Sequence, residues 1–100
     1  MRIDFNWDSA KAASNASKHG VTFEEALTVF RDPLALSMLD SAPNPDEERW
    51  VTLGAGSTGK LLVVVHTWLD IELDRSVVRI ISARQPTRSE ARQYREGPMP

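Results

Sequence analysis

Residues 60–68 read KLLVVVHTW, and this stretch decides the fold. The apolar run at positions 61–65 is too short to cross a membrane but long enough to form a strand. Successive side chains of a strand point to opposite faces, so a strand of this composition is apolar on both faces. Such a strand needs cover on both sides. We therefore expect residues 60–68 to form the central strand of a sheet.

Two further strands are predicted next to this stretch along the chain. RWVTLGAG at 49–56 precedes it, and SVVRIISAR at 76–84 follows it. The glycine-rich stretch GAGSTG at 54–59 indicates a tight hairpin turn between the first two strands. LDIELDR at 69–75 is acidic and contains no glycine, and we expect it to form the connection to the third strand.

The first twenty residues predict a strand followed by a helix. IDFNW at 3–7 alternates apolar and polar residues, as a short strand does. Asp8 is a suitable N-cap for a helix that runs to about Lys18 or His19. Gly20 follows at the position where a glycine commonly ends a helix.

A second helix and a further strand are predicted next. Thr22 and Glu25 have the spacing of a capping box, and apolar residues follow at helical spacing. The Asp32-Pro33 pair ends this helix. LALSML at 34–39 predicts a strand, and the proline-rich and acidic segment at 41–48 predicts a loop.

The C-terminal region predicts one more helix, which completes the fold class. Thr87 and Glu90 again have the spacing of a capping box, and the helix runs to about Glu96. The predicted fold is α+β, with two N-terminal helices, a largely antiparallel meander sheet of four to five strands and one C-terminal helix. One hundred residues fit a single domain over 1–100.

The composition favours a soluble, cytoplasmic protein whose charge is unevenly distributed. The chain has no cysteine and no secretory signal pattern, and its net charge is -2. Residues 21–74 carry ten acidic and three basic side chains, a net charge of -7, whereas residues 75–100 carry six arginines and two glutamates, a net charge of +4. A basic end on an acidic body indicates one localised surface that faces anions.

Half of the basic residues are arginines in the last quarter of the chain, namely Arg75, Arg79, Arg84, Arg88, Arg92 and Arg95. On a regular strand Arg75 and Arg79 share one face, and Arg84 lies on the other. Arg88, Arg92 and Arg95 fall at i, i+4 and i+7 and form one stripe on the last helix.

Arg84 and Arg88 are predicted to lie near the N-terminus of the last helix, where free backbone N–H groups attract anions. Arginine suits such a phosphate cradle because its planar fork holds two oxygens at once. The alternative is a solvated arginine surface that pairs with Glu90 and Glu96.

The chain has two histidines, and each has a structural and a functional interpretation. His66 shares a face of the central strand with Leu62 and Val64, so it is either a hydrogen-bonded core residue or a proton-transfer group. His19 ends the first helix beside Lys18, where a cation also complements the helix dipole.

Several common sites are excluded by residue type and spacing. Two isolated histidines without cysteine do not make a structural zinc site, and the carboxylates show no metal-binding spacing. GAGSTGK at 54–60 is one residue short of a phosphate-binding loop, lacks the final Ser or Thr, and joins two strands. We expect no metal and no cofactor.

The remaining groups suit metal-free cleavage of RNA. That reaction needs a base for the 2′-hydroxyl, cations near the developing phosphorane charge, and an acid for the leaving oxygen. Histidine, glutamate, arginine, lysine and tyrosine can serve in these roles, and all are present.

The chain resembles the BrnT-type toxins of bacterial type II toxin–antitoxin systems. The most distinctive matching motifs are SKHGVTFEEA at 17–26 and IISARQPTRSEARQY at 80–94. FNWDSAKAASNA, VFRDPLAL, ERWVTLG and KLLVVVHT also match, so the resemblance covers nearly the whole chain. The family is similar in fold to the RelE-like ribonucleases. The resemblance implies an mRNA-cleaving toxin that inhibits translation.

The resemblance also implies site residues. The expected catalytic residues are His66, Arg79, Arg84, Arg88, His19 and Tyr94. The expected RNA-binding residues are Lys18 and Arg49, and the stripe on the last helix adds Arg92 and Arg95. Arginines would hold and stabilise phosphate, and His66 or His19 would transfer protons. Glu25 is left as a helix cap, and Glu24 stays undecided. The acidic stretch LDIELDR at 69–75 departs from the family pattern and is expected to face away from RNA or toward a basic partner.

The implied partners are RNA and a cognate antitoxin with a ribbon-helix-helix DNA-binding domain, through which the complex would repress its own operon. No membrane partner is expected, and a homodimer stays open. The alternative hypothesis is a non-catalytic module that binds RNA or protein with the same fold.

Overall fold

The computed structural model describes residues 2–40 and 48–97. In chain order its elements are β1 (Arg2–Asn6), α1 (Ser9–His19), α2 (Phe23–Leu27), a 3-10 helix (Thr28–Arg31), β2 (Leu36–Leu39), β3 (Arg49–Ala55), β4 (Leu61–Thr67), β5 (Leu69–Glu72), β6 (Arg75–Arg84) and α3 (Arg88–Glu96). Apart from Glu48, the loop predicted at 41–48 lies outside the described residues. No helix in the described ranges is long and apolar enough to span a membrane.

The sheet confirms the predicted central strand. Its strand order is β1-β6-β4-β3-β2, and β5 pairs with β6 as well. Three consecutive residues of β4, Leu62, Val63 and Val64, are fully buried, although their side chains alternate between faces. β4 lies in the middle of the sheet with both faces covered, which explains why its residues are apolar on both faces.

Two features of the predicted sheet are wrong. The described part of the chain contains six strands instead of four to five, because residues 69–72 pair antiparallel with β6 instead of forming a plain connection. β1 pairs parallel with β6, so the sheet is mixed and not a simple meander. β1 and β5 both pair with the first residues of β6 and therefore lie on opposite sides of that strand.

The ends of α1 follow the predicted local chemistry. The Asp8 carboxylate accepts hydrogen bonds from the backbone N–H groups of Ala10 and Lys11 at 2.8 and 3.0 Å. Gly20 adopts the left-handed conformation with φ of 70°, and its N–H donates to the carbonyl of Ala16. This geometry is costly for residues with a Cβ atom, so glycine at this position ends the helix.

The second predicted helix is shorter than expected. α2 ends at Leu27, and residues 28–31 form a 3-10 helix. The hydroxyl of Thr28 donates to the Glu25 carbonyl at 2.6 Å and accepts from the backbone N–H of Ser57 at 2.8 Å. A side-chain hydrogen bond to a backbone carbonyl one turn earlier competes with the regular α-helical hydrogen bonds and favours the tighter 3-10 turn.

The main core lies between one face of the sheet and the N-terminal helices α1 and α2 with the 3-10 helix. We call this face the helix face and define it by Leu62, Val64 and Ile80, which pack in one cluster with helix residues. From the helices, Phe23 and Ala26 are fully buried in the same cluster. Large apolar side chains of this kind contribute about 1.5–3 kcal/mol each when fully buried.

A β-bulge in β6 overturns the predicted face of Arg84. Val65 pairs with Ser82, but His66 pairs with Ile80, so Ile81 is an extra residue. The extra residue shifts the alternation by one position. Ala83 consequently joins the core of the helix face, and Arg84 projects from the opposite face.

Candidate functional site

The sheet face opposite α1 and α2 carries a row of basic side chains. We call it the arginine face and define it by Arg49, Arg75, Arg79 and Arg84. Cross-strand pairing aligns Arg49 with Thr67, and the backbone N–H of Arg79 donates to the Thr67 hydroxyl at 3.1 Å. Neighbouring strands are about 4.8 Å apart, so the Cα atoms of Arg49 and Arg79 lie about 10 Å apart.

The bulge adds Arg84 to this face, where Glu90 engages it. Two nearly parallel hydrogen bonds of 2.8 and 2.9 Å join the guanidinium to the Glu90 carboxylate. These bonds from Arg84 are the main cause that lowers the pKa of Glu90 to about 2. Glu90 also completes the capping box with Thr87. Arg84 therefore ties α3 to the end of β6, and the predicted cradle of Arg84 and Arg88 is not open to a phosphate on the Arg84 side.

The other arginines of the C-terminal helix lie on its outer surface. Arg88, Arg92 and Arg95 are all exposed, as their spacing on α3 predicts. Arg92 lines a groove of about 490 Å³ between α3 and β2, together with Met38 and Glu96. These side chains are separate from the row across the sheet.

Tyr94 anchors the same helix from another side. Its hydroxyl donates to Asp32 Oδ2 at 2.6 Å, and the backbone N–H of Ala55 donates to the same oxygen at 2.8 Å. The bond from Ala55 is the largest cause that lowers the pKa of Asp32, and the bond to Asp32 raises the pKa of Tyr94. Asp32 thus connects the 3-10 helix, β3 and α3, which the sequence did not indicate.

A cationic pocket of about 200 Å³ lies between α1 and the bulged part of β6. Lys11, Ser14, Asn15, Lys18, His19, Ile81 and Ser82 line it. Lys11, Ser14 and Lys18 are spaced i, i+3 and i+7, so they form one stripe along α1. Among the described residues, no acidic side chain lines this pocket. The pocket therefore offers ammonium groups, hydroxyls and one imidazole to an anion.

Asn15 fixes the position of α1 against β6. This buried side chain donates through Nδ2 to the carbonyls of Val21 and Ala83 at 3.0 and 2.8 Å. Its Oδ1 accepts from the N–H of Ala83 at 3.1 Å. The side chain thereby satisfies the backbone hydrogen-bonding groups of Ala83, on the edge of β6 beyond the last residue that pairs with β1. The cationic pocket depends on this contact, although sequence analysis did not single out Asn15.

His66 lies in the core of the helix face and has both ring nitrogens hydrogen-bonded. Nδ1–H donates to the carbonyl of Thr67 at 2.9 Å, so in the neutral ring Nε2 accepts from the Thr52 hydroxyl at 2.6 Å. The Ser37 hydroxyl then donates to Thr52 at 2.7 Å. Phe30 packs edge-to-face against the imidazole at 4.7 Å. Burial is the main cause that lowers the pKa of His66, which keeps the ring neutral.

The predicted site residues therefore divide into separate groups. Lys18 and His19 line one pocket with β6, and Arg49, Arg79 and Arg84 share the opposite face of the sheet from His66. Strand pairing places His66 beside Trp50 and Ile80, on the helix face. This arrangement does not bring His66 together with Arg49, Arg79 and Arg84.

The residues at 2–40 and 48–97 contain no group of three or more His, Cys, Asp or Glu side chains placed to hold a metal ion.

Comparisons with known proteins match a family model and a solved structure. The family model described as "Ribonuclease toxin, BrnT, of type II toxin-antitoxin system" matches residues 7–90. No curated protein matches the sequence. The crystal structure of the ribonuclease toxin BrnT from Brucella abortus is similar in fold, with a TM-score of 0.55 and 17% identity, over 88% of this chain and 100% of that chain.

Proposed function

This chain belongs to the BrnT family of ribonuclease toxins of type II toxin–antitoxin systems, and from that premise we propose that it is a metal-independent endoribonuclease that cleaves mRNA and thereby inhibits translation. The observation that carries the proposal is the cationic pocket between α1 and β6. The pocket and the arginine face present cations on a protein whose net charge is -2.

Phosphate binding is the first step. Lys11 and Lys18 from α1 and Arg79 from β6 hold successive phosphates of a single-stranded segment, because regular duplex geometry keeps the 2′-hydroxyl out of line for attack. Serine hydroxyls at the pocket add hydrogen bonds to phosphate oxygens. Each phosphate contact releases counterions, so binding weakens as salt rises.

Proton transfer is assigned to His19. An imidazole accepts and returns protons near neutral pH, and His19 lies in the same pocket as Lys18. Cations beside the scissile phosphate stabilise the charge that develops there. His66 does not fit this role, because it is only 2% exposed and both of its ring nitrogens have partners inside the protein.

The partner of the toxin is a cognate protein antitoxin. We further propose that this antitoxin carries a ribbon-helix-helix domain, through which the complex represses its own operon. Membership in a type II family supports a protein antitoxin. Binding of the purified complex, but not of the toxin alone, to the operator DNA tests the assignment.

The testing experiment is cleavage of a labelled mixed-sequence RNA in the presence of EDTA. Wild type should cut, and Arg79→Ala should cut at least about tenfold more slowly. Arg31→Ala is the matched control, since Arg31 is exposed on the 3-10 helix, away from the pocket. Circular dichroism confirms that both variants fold.

The alternative function, a non-catalytic binding module, predicts a different outcome. Wild type would then bind RNA with salt-dependent affinity but leave it uncut, also on translating ribosomes. Loss of cutting in EDTA, with recovery on adding a divalent cation, would contradict metal independence but not the ribonuclease activity.

A further inference from the structure

The strand β5 has one unpaired edge within the described part of the chain. Its inner edge pairs with β6, where Leu69 aligns with Val77 and Asp70 with Ser76. β3 pairs with β4 only as far as Thr67, so no described strand covers the outer edge of β5. Open edges attract further strands, and proteins commonly protect them with lysine or proline. β5 contains neither residue.

The side chains around this edge are unusually apolar for an exposed surface. Leu69 is 62% exposed, Ile71 is 48% exposed, and Leu73 in the following turn is fully exposed. Three neighbouring large apolar side chains in water indicate a surface that another molecule covers.

The charge pattern of this edge indicates which kind of molecule covers it. Asp70, Glu72 and Asp74 alternate with the apolar residues, and the stretch 69–74 contains no cation. Pairing with a second copy of this chain would bring like charges together on both strands, which is unfavourable. A basic, apolar segment of a different protein would instead match both the carboxylates and the leucines.

An aromatic pocket lies at the inner end of the same edge. Trp68 directly precedes β5, and Trp50 is the second residue of β3. With Ser37 and His66 they line a cavity of about 290 Å³. A strand added to β5 would run end to end with β3 and pass this cavity. An apolar side chain of that strand could be buried there, as the anchor residues of interfaces are.

We propose that the antitoxin docks a basic, extended segment on the outer edge of β5 as an added strand, with one apolar side chain in the pocket between Trp50 and Trp68. This inference rests on the proposed function, because that function supplies the antitoxin. Backbone hydrogen bonds provide much of the affinity in such an arrangement, and alternate side chains provide specificity. The docking surface is distinct from the cationic pocket, so the antitoxin need not cover Lys18 or His19 with this segment.

The test measures affinity of the purified toxin for the purified antitoxin encoded beside it. Leu69→Ser should weaken binding about tenfold or more, whereas Leu34→Ser should not, although Leu34 is 69% exposed and also a leucine. Glu72→Lys should weaken binding in the same way and reduce its salt dependence, whereas Glu24→Lys, an equal charge change at an exposed position of α2, should not.

Hydrogen exchange gives the second readout. Backbone amides of residues 69–72 should become protected in the complex if a strand is added. Absence of binding by wild type, or equal affinity of all four variants without protection of β5, would overturn the inference. RNA cleavage by the free toxin is measured separately, and Leu69→Ser and Glu72→Lys should cut at the wild-type rate. Failure of cleavage with β5-dependent binding would therefore refute the proposed function and leave the docking surface intact.

Discussion

His66 and Arg79 point to opposite faces of the same sheet. His66 pairs across the strands with Ile80, and Arg79 precedes Ile80 in β6, so the two side chains cannot act on one substrate from the same side. We therefore propose a structural role for His66 and proton transfer by His19. It also yields testable differences between the two histidines.

Removal of the buried imidazole should destabilise the protein. His66→Ala deletes a ring that packs on Phe30 and leaves the Thr52 hydroxyl without its acceptor. We expect the free energy of unfolding to fall by about 3 kcal/mol. Urea denaturation at pH 7.5 measures this, with His19→Ala as the matched control. A loss below about 0.5 kcal/mol would show that the ring contributes little to the core.

The same histidine should make stability depend on pH. Burial lowers the pKa of His66 below its ordinary value of 6.5, so the unfolded chain takes up a proton that the folded protein does not. Its contribution is therefore fully present above pH 6.5 and is lost as the pH falls further. Between pH 7.5 and 5.5 wild type should lose more stability than His66→Ala. Parallel pH profiles for the two proteins would contradict a neutral buried ring.

The pair of Arg84 and Glu90 should stabilise the attachment of α3. The pKa of Glu90 is lowered to about 2, so this contribution is present above pH 4.5 and disappears as the pH falls toward 2. The side chains are 40% and 29% exposed, which limits the effect to about 1 kcal/mol. Unfolding of Glu90→Gln at pH 7 should show this loss. The difference from wild type should shrink below pH 4.5, and a constant difference would point to packing instead of charge.

Tyr94 should titrate above its ordinary pKa. Its hydrogen bond to Asp32 holds the proton and raises the pKa of the phenol above 10. Because the chain contains a single tyrosine, absorbance at the phenolate band follows this residue alone. Asp32→Asn should move the midpoint back toward 10. The stability that this bond supplies is present below pH 10 and is lost as the pH rises through the raised pKa.

Asn15 should be essential for the geometry of the cationic pocket. Asn15→Ala removes three hydrogen bonds and leaves backbone groups of Ala83 without partners. We expect a loss of about 2–3 kcal/mol in the free energy of unfolding and faster hydrogen exchange at Ala83. Asn6→Ala, at an exposed position of β1, should stay within about 0.5 kcal/mol of wild type. An unchanged exchange rate at Ala83 would contradict the assigned role.

Local chemistry in the sequence predicted the ends of elements well. Asp8 and Gly20 bound α1, and Thr87 with Glu90 forms the expected capping box. These features depend on residues three or four positions apart, which the sequence displays directly. The burial of β4 was likewise predictable, because its apolar residues lie on both faces of the strand.

Non-local pairing and the bulge were not predictable in the same way. Nothing in the sequence near Arg2 indicates that β1 lies parallel to β6, since the partner strand is about seventy residues away. The bulge at Ile81 has no glycine to mark it, yet it decides which face carries Arg84. The strand at 69–72 does have a signal in the sequence, namely strict alternation of apolar and acidic residues.

For the candidate site, too, local spacing was visible in the sequence and contacts between distant elements were not. Sequence analysis identified Lys18, His19 and Arg79 but could not tell that His66 and Arg79 lie on opposite faces of the sheet. Lys11 and Ser14 were missed, although their spacing to Lys18 is a helical stripe that the sequence shows. Asn15 and Ser82 could not be found that way, because their role depends on contact between α1 and the bulged strand.

The most direct measurement compares His19→Asn with His66→Asn in RNA cleavage under single-turnover conditions, with EDTA present and rates expressed per folded molecule. If His19 transfers the proton, His19→Asn should slow cleavage about a hundredfold or more, while His66→Asn should retain a rate near that of wild type despite its lower stability. A folded His66→Asn that does not cut, beside a His19→Asn that cuts normally, would contradict the account and place the reaction on the helix face.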